Sequence, residues 1–229
     1  MSKIKQSFRY ALPFTLPICA GFLFLGMSYG FLMIQKGFPV YLPIITSAVI
    51  FAGSMEFILA DLLFAPFQPI ATFLLTFMVN ARHIFYGLSM LEKFQNTSWK
   101  KPFLIFGMCD ESFSINCNVE LPKEIDSSWF MLHVTFLNYL YWVIGVSLGA
   151  ISGKYIRVDT TGIDFVLAAL FLVIFTEQWL SQPKHKAALT GILCSVLSLW
   201  IFGSNIFVIP AMLLILCVFT IFYRQEKKI

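Results

Sequence analysis

Residues 79–87 read VNARHIFYG, inside the run FLLTFMVNARHIFYGLSML (73–91), which is otherwise mostly Phe, Leu and Met. On a helix advancing about 100° per residue, Thr72, Thr76, Asn80, Arg82, His83, Tyr86, Gly87 and Ser89 fall on one half. Phe73, Leu74, Phe77, Ala81, Ile84, Phe85, Leu88 and Leu91 fall on the other. One side suits lipid, and the other suits a protein interior or a wet cavity. A charge at the centre of a membrane helix costs at least ~2.5–3.5 kcal/mol unless it is paired or hydrated. Arg82 therefore needs a partner.

The surrounding chain supports a membrane setting. Of its 229 residues, 59% are hydrophobic, 17% aromatic and 12% charged, and the mean hydropathy is +0.81. A soluble domain carries about a quarter charged residues, so this composition cannot cover a water-facing surface. Apolar runs approach the ~20 residues that a helix needs to cross ~30 Å of hydrocarbon. Ten-residue alternation, the mark of a membrane barrel, is missing. The expected fold is an all-α polytopic transmembrane bundle of seven or eight spans with broken helices, forming one permease domain over 1–229. The spans fall at about 11–35, 42–64, 68–92, 102–119, 128–152, 162–182, 187–202 and 205–223.

The basic start MSKIKQSFRY leads into an apolar run without a small-x-small cleavage site, so a retained first helix is expected. Cys19, Cys109, Cys117, Cys194 and Cys217 lie in or beside apolar runs without CxxC spacing, which argues against a disulfide or metal framework. No cofactor is called for. The net charge of +4 is spread over termini and short loops, as topology signals are, and forms no nucleic-acid patch. With eight spans and the N-terminus inside, nine basic residues face inward and six outward, and the lysines flanking QNTSW (95–99) fall on the outer side. A re-entrant segment would repair that.

Acidic residues also lie within apolar runs. Glu56 sits in FAGSMEF (51–57) beside Gly53 and Ser54, and Asp110 and Glu111 sit together in GMCDESFSINCN (107–118). Two adjacent carboxylates in a low-dielectric setting do not both ionise freely without a nearby cation. Glu177, next to Trp179, suits interfacial anchoring. Pro13 and Pro17, followed by Gly21, Gly26 and Gly30, offer a place for a helix break; Pro39 and Pro43 lie near the ends of the first two spans. GMSYG (26–30) and GVSLG (145–149) share a GxSxG spacing that permits close helix approach. Neither has the strand-to-helix setting of a hydrolase elbow. With no HExxH and three histidines far apart, an enzyme is not expected.

IFAGSMEF (50–57), VNARHIFYGLSM (79–90), CDESFS (109–114), NYLYWVIGVSLGAISG (138–153) and GIDFVLAALFLVIFTEQW (162–179) together resemble the AzlC family. These are large subunits of bacterial branched-chain amino acid exporters. The resemblance implies a multi-pass permease of the bacterial cytoplasmic membrane, exporting valine, leucine, isoleucine or related hydrophobic amino acids. It also implies a small AzlD-type membrane subunit as partner. Glu56 departs from the glutamine common at that position in the family, while Ala81 and Cys109 are minor departures.

A zwitterion with an apolar tail needs a cation, an acceptor and an apolar pocket. Arg82, with a broken-helix N-terminus, is the candidate for the carboxylate, and Glu56 or Asp110 for the ammonium. Gly53 and Asn80 line the same region, and Phe, Leu and Met of the first three spans hold the tail. One methylene there is worth only ~1–3 kcal/mol, so broad specificity is expected. Proton coupling falls to His83, Asp110 or Glu111, the groups able to exchange protons there. A non-transporting membrane scaffold is the alternative, in which the same residues pair internally.

Overall fold

The computed structural model describes residues 3–95, 97–156, 169, 172, 175–176, 179–180, 185–203, 207, 210–211, 213–215 and 217–220, and every regular element among them is helical. The chain forms two compact units, Met1–Leu167 and Ala168–Ile229. The second holds an apolar helix, Lys186–Phe202. The spans expected at 162–182 and 205–223 lie largely outside the described residues, and Glu177 wholly so.

The first unit is organised by two long helices, α1 (Lys3–Gln35) and α8 (Ser127–Tyr155). Among the described residues these are the two helices long and apolar enough to cross a membrane. They run parallel. Ser7 Oγ donates to the Asp126 carbonyl at 3.3 Å, Phe14 meets Phe130, Phe22 meets Trp142, and Gly26 abuts Val146. The two GxSxG stretches are the tightest part of this seam. A Cβ added at Gly26 would lie 2.9 Å from the Val146 nitrogen, and one at Gly145 would lie 2.9 Å from the Phe22 carbonyl. At Gly30 and Gly149 the added carbon would strike Val146 and Met27 backbone. The expected packing role of these glycines is what the seam shows.

The break expected near Pro17 does not occur, since α1 runs unbroken through Pro13 and Pro17. Packing on α8 extends along the helix, from Ala11 and Phe14 to Phe22 and Gly26, and supports its continuation across both prolines. Breaks occur instead in the three segments between α1 and α8.

The first is a helical hairpin, α2 (Tyr41–Val49) and α3 (Gly53–Leu62). Its arms start and finish beside the C-terminal end of α1. Tyr29 touches both, through a 2.9 Å hydrogen bond to Thr46 on α2 and a ring contact with Phe57 on α3. Phe64 returns to Phe38, and Asp61 pairs with Lys36. The turn lies half-way down, where Phe51 packs on Tyr139 and Gly53 on Trp142. The second segment, α4 (Pro69–Val79) and α5 (Arg82–Phe94), is interrupted at Asn80–Ala81 and runs to the opposite end, where Phe94 joins Ala11 and Phe130.

The third, α6 (Lys101–Phe106) and α7 (Asp110–Asn118), is again a hairpin, entered from that opposite end. Lys100 Nζ donates to Ser128 Oγ at 2.8 Å, Gly107 abuts Thr135 at the turn, and Lys93 Nζ reaches the Asn116 carbonyl at 2.9 Å on the way back.

Residues 42–64 and 102–119 thus differ from the straight crossings read from hydropathy. Arms of six to ten residues, about 9–15 Å at 1.5 Å per residue, reach only half-way through ~30 Å. The hairpin also resolves the charge anomaly. Lys93, Lys100 and Lys101 lie at the same end as Lys3, Lys5, Arg9 and Lys123, and Lys36 and Lys154 lie at the other.

Candidate functional site

Each interruption restarts a helix at an ionisable residue. Arg82 is the first residue of α5, Asp110 the first of α7, and Glu56 lies in the first turn of α3. Helix N-termini carry unsatisfied N–H groups and a partial positive charge. The chain turns into α3 through Phe51 at φ 45°, a left-handed conformation costing a side chain of this kind about 1–3 kcal/mol. The surrounding packing on Tyr139 and Phe106 holds it there.

Three of these elements converge on Arg82. Its Nη1 lies 2.8 Å from Asp110 Oδ2, and its Nη2 donates to Ser54 Oγ at 3.2 Å. Its Nε is buried without a protein partner. Asp110 takes a second bond through Oδ1, from the Tyr86 hydroxyl at 2.9 Å. The side chains of Arg82 and Asp110 remain 31% and 26% exposed.

Glu56 is fully buried. Trp142 Nε1 donates to both carboxylate oxygens, at 3.1 and 3.2 Å, and the Ala52 amide donates at 3.0 Å. Gly53 packs closely beside them, since a Cβ there would lie 3.0 Å from the Trp142 ring. Asn138, also fully buried, donates to Ser112 Oγ at 3.0 Å and leaves its own Oδ1 unpartnered.

The structure brings Arg82 and Asp110 together, with Ser54 joining them to the turn that carries Gly53 and Glu56. Glu56 does not contact Arg82; its partner is Trp142. Asn80 turns its amide back to the Thr76 carbonyl at 3.1 Å, sealing the end of α4. His83 Nδ1 lies 3.2 Å from the Asn80 carbonyl, and its ring meets Tyr86 edge-on. Glu111 follows Asp110 in the first turn of α7.

Sequence reasoning gave no role to Trp142, Asn138 or Ser112. A signal was available for the first two: an asparagine and a tryptophan at mid-span, where apolar residues are the rule and Trp favours the interfaces. Among the described residues, no group of three or more His, Cys, Asp or Glu forms a metal-binding cluster.

Ionisable residues paired at interrupted helices, inside a chain this apolar, define a helical membrane protein. Residues 17–156 match the family model described as AzlC protein, and the chain belongs to the AzlC family. It is 55% identical over 227 residues to the branched-chain amino acid transport protein AzlC of Bacillus subtilis, covering 99% of this chain and 89% of that one. An uncharacterized membrane protein of Haemophilus influenzae is 40% identical, with 92% and 86% covered. Inner membrane protein YgaZ of Escherichia coli is 26% identical, with 87% and 82% covered. No solved structure gives a significant match.

Proposed function

We propose that this chain is a permease subunit that exports branched-chain or related hydrophobic amino acids across the bacterial cytoplasmic membrane. The proton gradient drives it, and a small AzlD-type membrane subunit works with it. The observation that carries this reading is the Arg82–Asp110 pair at the convergence of three interrupted helices, partly open and linked to Ser54. A zwitterionic amino acid offers a carboxylate to Arg82 and an ammonium to Asp110, exchanging one ion pair for two. The α3, α5 and α7 N-termini favour the carboxylate. Gly53 gives the backbone close approach, Asn80 ends α4 beside the pair, and Glu56 anchors the α3 turn. Among these groups His83, Asp110 and Glu111 are the ones able to carry a proton. The relative's name supports the substrate class, and the Arg82–Asp110–Ser54 contacts support the choice of binding groups.

In this reading the chain is one multi-pass permease domain whose first unit crosses three times, through α1, α4–α5 and α8, while the α2–α3 and α6–α7 hairpins re-enter from the side they leave. In the first unit the N-terminal end of α1 faces the cytoplasm, because seven of the described basic residues gather at that end and two at the other. Proteoliposomes holding this chain, with and without the small subunit, test the function by release of labelled leucine under an imposed pH gradient. Release that needs the chain and collapses with a protonophore is the expected result. No release with either preparation sinks the exporter and favours a scaffold.

A further inference from the structure

Residues 41–94 and 101–155 follow one order of elements in opposite senses. The α2–α3 hairpin enters from the C-terminal end of α1, and α4–α5 then runs away from that end. The α6–α7 hairpin enters from the other end, and α8 runs back.

The polar contacts repeat in kind with the same inversion, although the serine precedes the acid in the first turn (Ser54, Glu56) and follows it in the second (Asp110, Ser112). Arg82 and Tyr86 stand one turn apart on α5; Asn138 and Trp142 stand one turn apart on α8. The first of each pair donates to a serine on the hairpin that precedes its own run, Arg82 to Ser54 and Asn138 to Ser112. The second of each pair donates to an acid on the other hairpin, Tyr86 to Asp110 and Trp142 to Glu56. The hairpin turns read IFAGSMEF (50–57) and IFGMCDESF (105–113), and their matching residues Phe51 and Phe106 touch each other at 6.4 Å between ring centroids. Equivalent residues contact one another where a two-fold axis passes between them. Tyr139 packs against both rings. The copies differ where α8 continues unbroken and Asn138 takes the place of a charge.

We propose that 41–94 and 101–155 are inverted copies of one unit, and that Trp142–Glu56 and Tyr86–Asp110 are corresponding latches holding the two hairpins closed over the central site from opposite ends. Each latch ties a hairpin to the run of the other copy, so releasing one frees one end of the site. Inversion makes the two open forms counterparts, one facing each side. The alternation serves the transport reading above and rests on it; the latches themselves are tested without substrate.

The test uses the full chain in membrane vesicles with a membrane-impermeant maleimide. One reporter cysteine replaces Thr76, on the outer arm before the Asn80 break; another replaces Gly87, on the inner arm, where an added Cβ meets nothing within 4 Å. Labelling from each side is read against the same protein without the introduced cysteine. Trp142→Phe should raise labelling at position 76 about threefold or more, the scale of one lost hydrogen bond, and lower it at position 87. Tyr86→Phe should do the reverse. Glu56→Gln and Asp110→Asn weaken the same contacts with less disturbance of packing and should shift labelling in the same opposed directions. Variants that move both reporters together, or move neither while remaining folded, overturn the proposal. Opposed labelling in a protein that releases no leucine would support the latches and remove the transport reading.

Discussion

Arg82 and Asp110 each open a helix, and their charged ends meet at 2.8 Å although 28 residues separate them in sequence. Asp110 is shared with Tyr86 and Arg82 with Ser54, so both keep a neutral partner when the other is lost. Arg82→Gln and Asp110→Asn are each expected to lower leucine release at least about tenfold. The double variant should be little worse than either single one, since residues of one network couple. Transport assays at matched protein levels check this. Near-normal release by both single variants would remove the pair from the site.

The α1–α8 seam leaves no room for a methyl group at Gly30 or Gly149. Alanine at either position meets backbone atoms of Val146 or Met27, which cannot turn away as a side chain can. Overpacking of this kind costs about 1–3 kcal/mol, and more where main chain must move. Gly21→Ala and Gly191→Ala are the controls, because a Cβ at either meets nothing within 4 Å. In a helix they should gain up to ~1 kcal/mol over glycine. Thermal unfolding in detergent should separate the pairs, with the seam variants lower and the controls equal or higher.

Glu56 depends on its donors. Glu56→Leu leaves the Trp142 N–H and the Ala52 amide buried without acceptors, at about 1–3 kcal/mol for each such group. Glu56→Gln keeps one acceptor oxygen and should cost less than half as much. The order wild type, Gln, Leu in melting temperature is the expected result; equal values for Gln and Leu would show that the carboxylate oxygens carry no structural weight.

The hairpins make a claim about sides. Cysteines at Pro39 and Ala65 bracket the α2–α3 hairpin, and cysteines at Lys101 and Glu124 bracket the α6–α7 hairpin; all four positions are exposed. In intact cells an impermeant thiol reagent should label the first two and spare the last two, which react only after permeabilisation. Straight crossings over 42–64 and 102–119 demand that each bracket be split between the two sides.

Much of this was legible in the sequence. The two-faced character of 72–91 holds in space: Phe73, Phe77, Phe85 and Leu88 are exposed on the apolar side, while Thr76, Asn80, Arg82 and Tyr86 turn inward. Glu56, Arg82 and Asp110 stood out because charge in an apolar run is costly. The charge count called for a re-entrant segment but did not place the hairpins, because hydropathy counts apolar residues and is blind to chain direction. Phe51 adopts a positive φ that nothing in its side chain announces. The prolines misled for the opposite reason. Their local effect on α1 is outweighed by a seam whose partner lies more than a hundred residues away.

That seam has a mechanical meaning. With main chain against main chain at Gly26, Gly30, Gly145 and Gly149, the two long helices have no side-chain cushion through which to slide or roll. They form a strut with one permitted register. In the permease proposed above, any displacement that carries cargo past Arg82 would then be taken up by the short arms around it, with the seam as the stationary reference against which their travel can be measured.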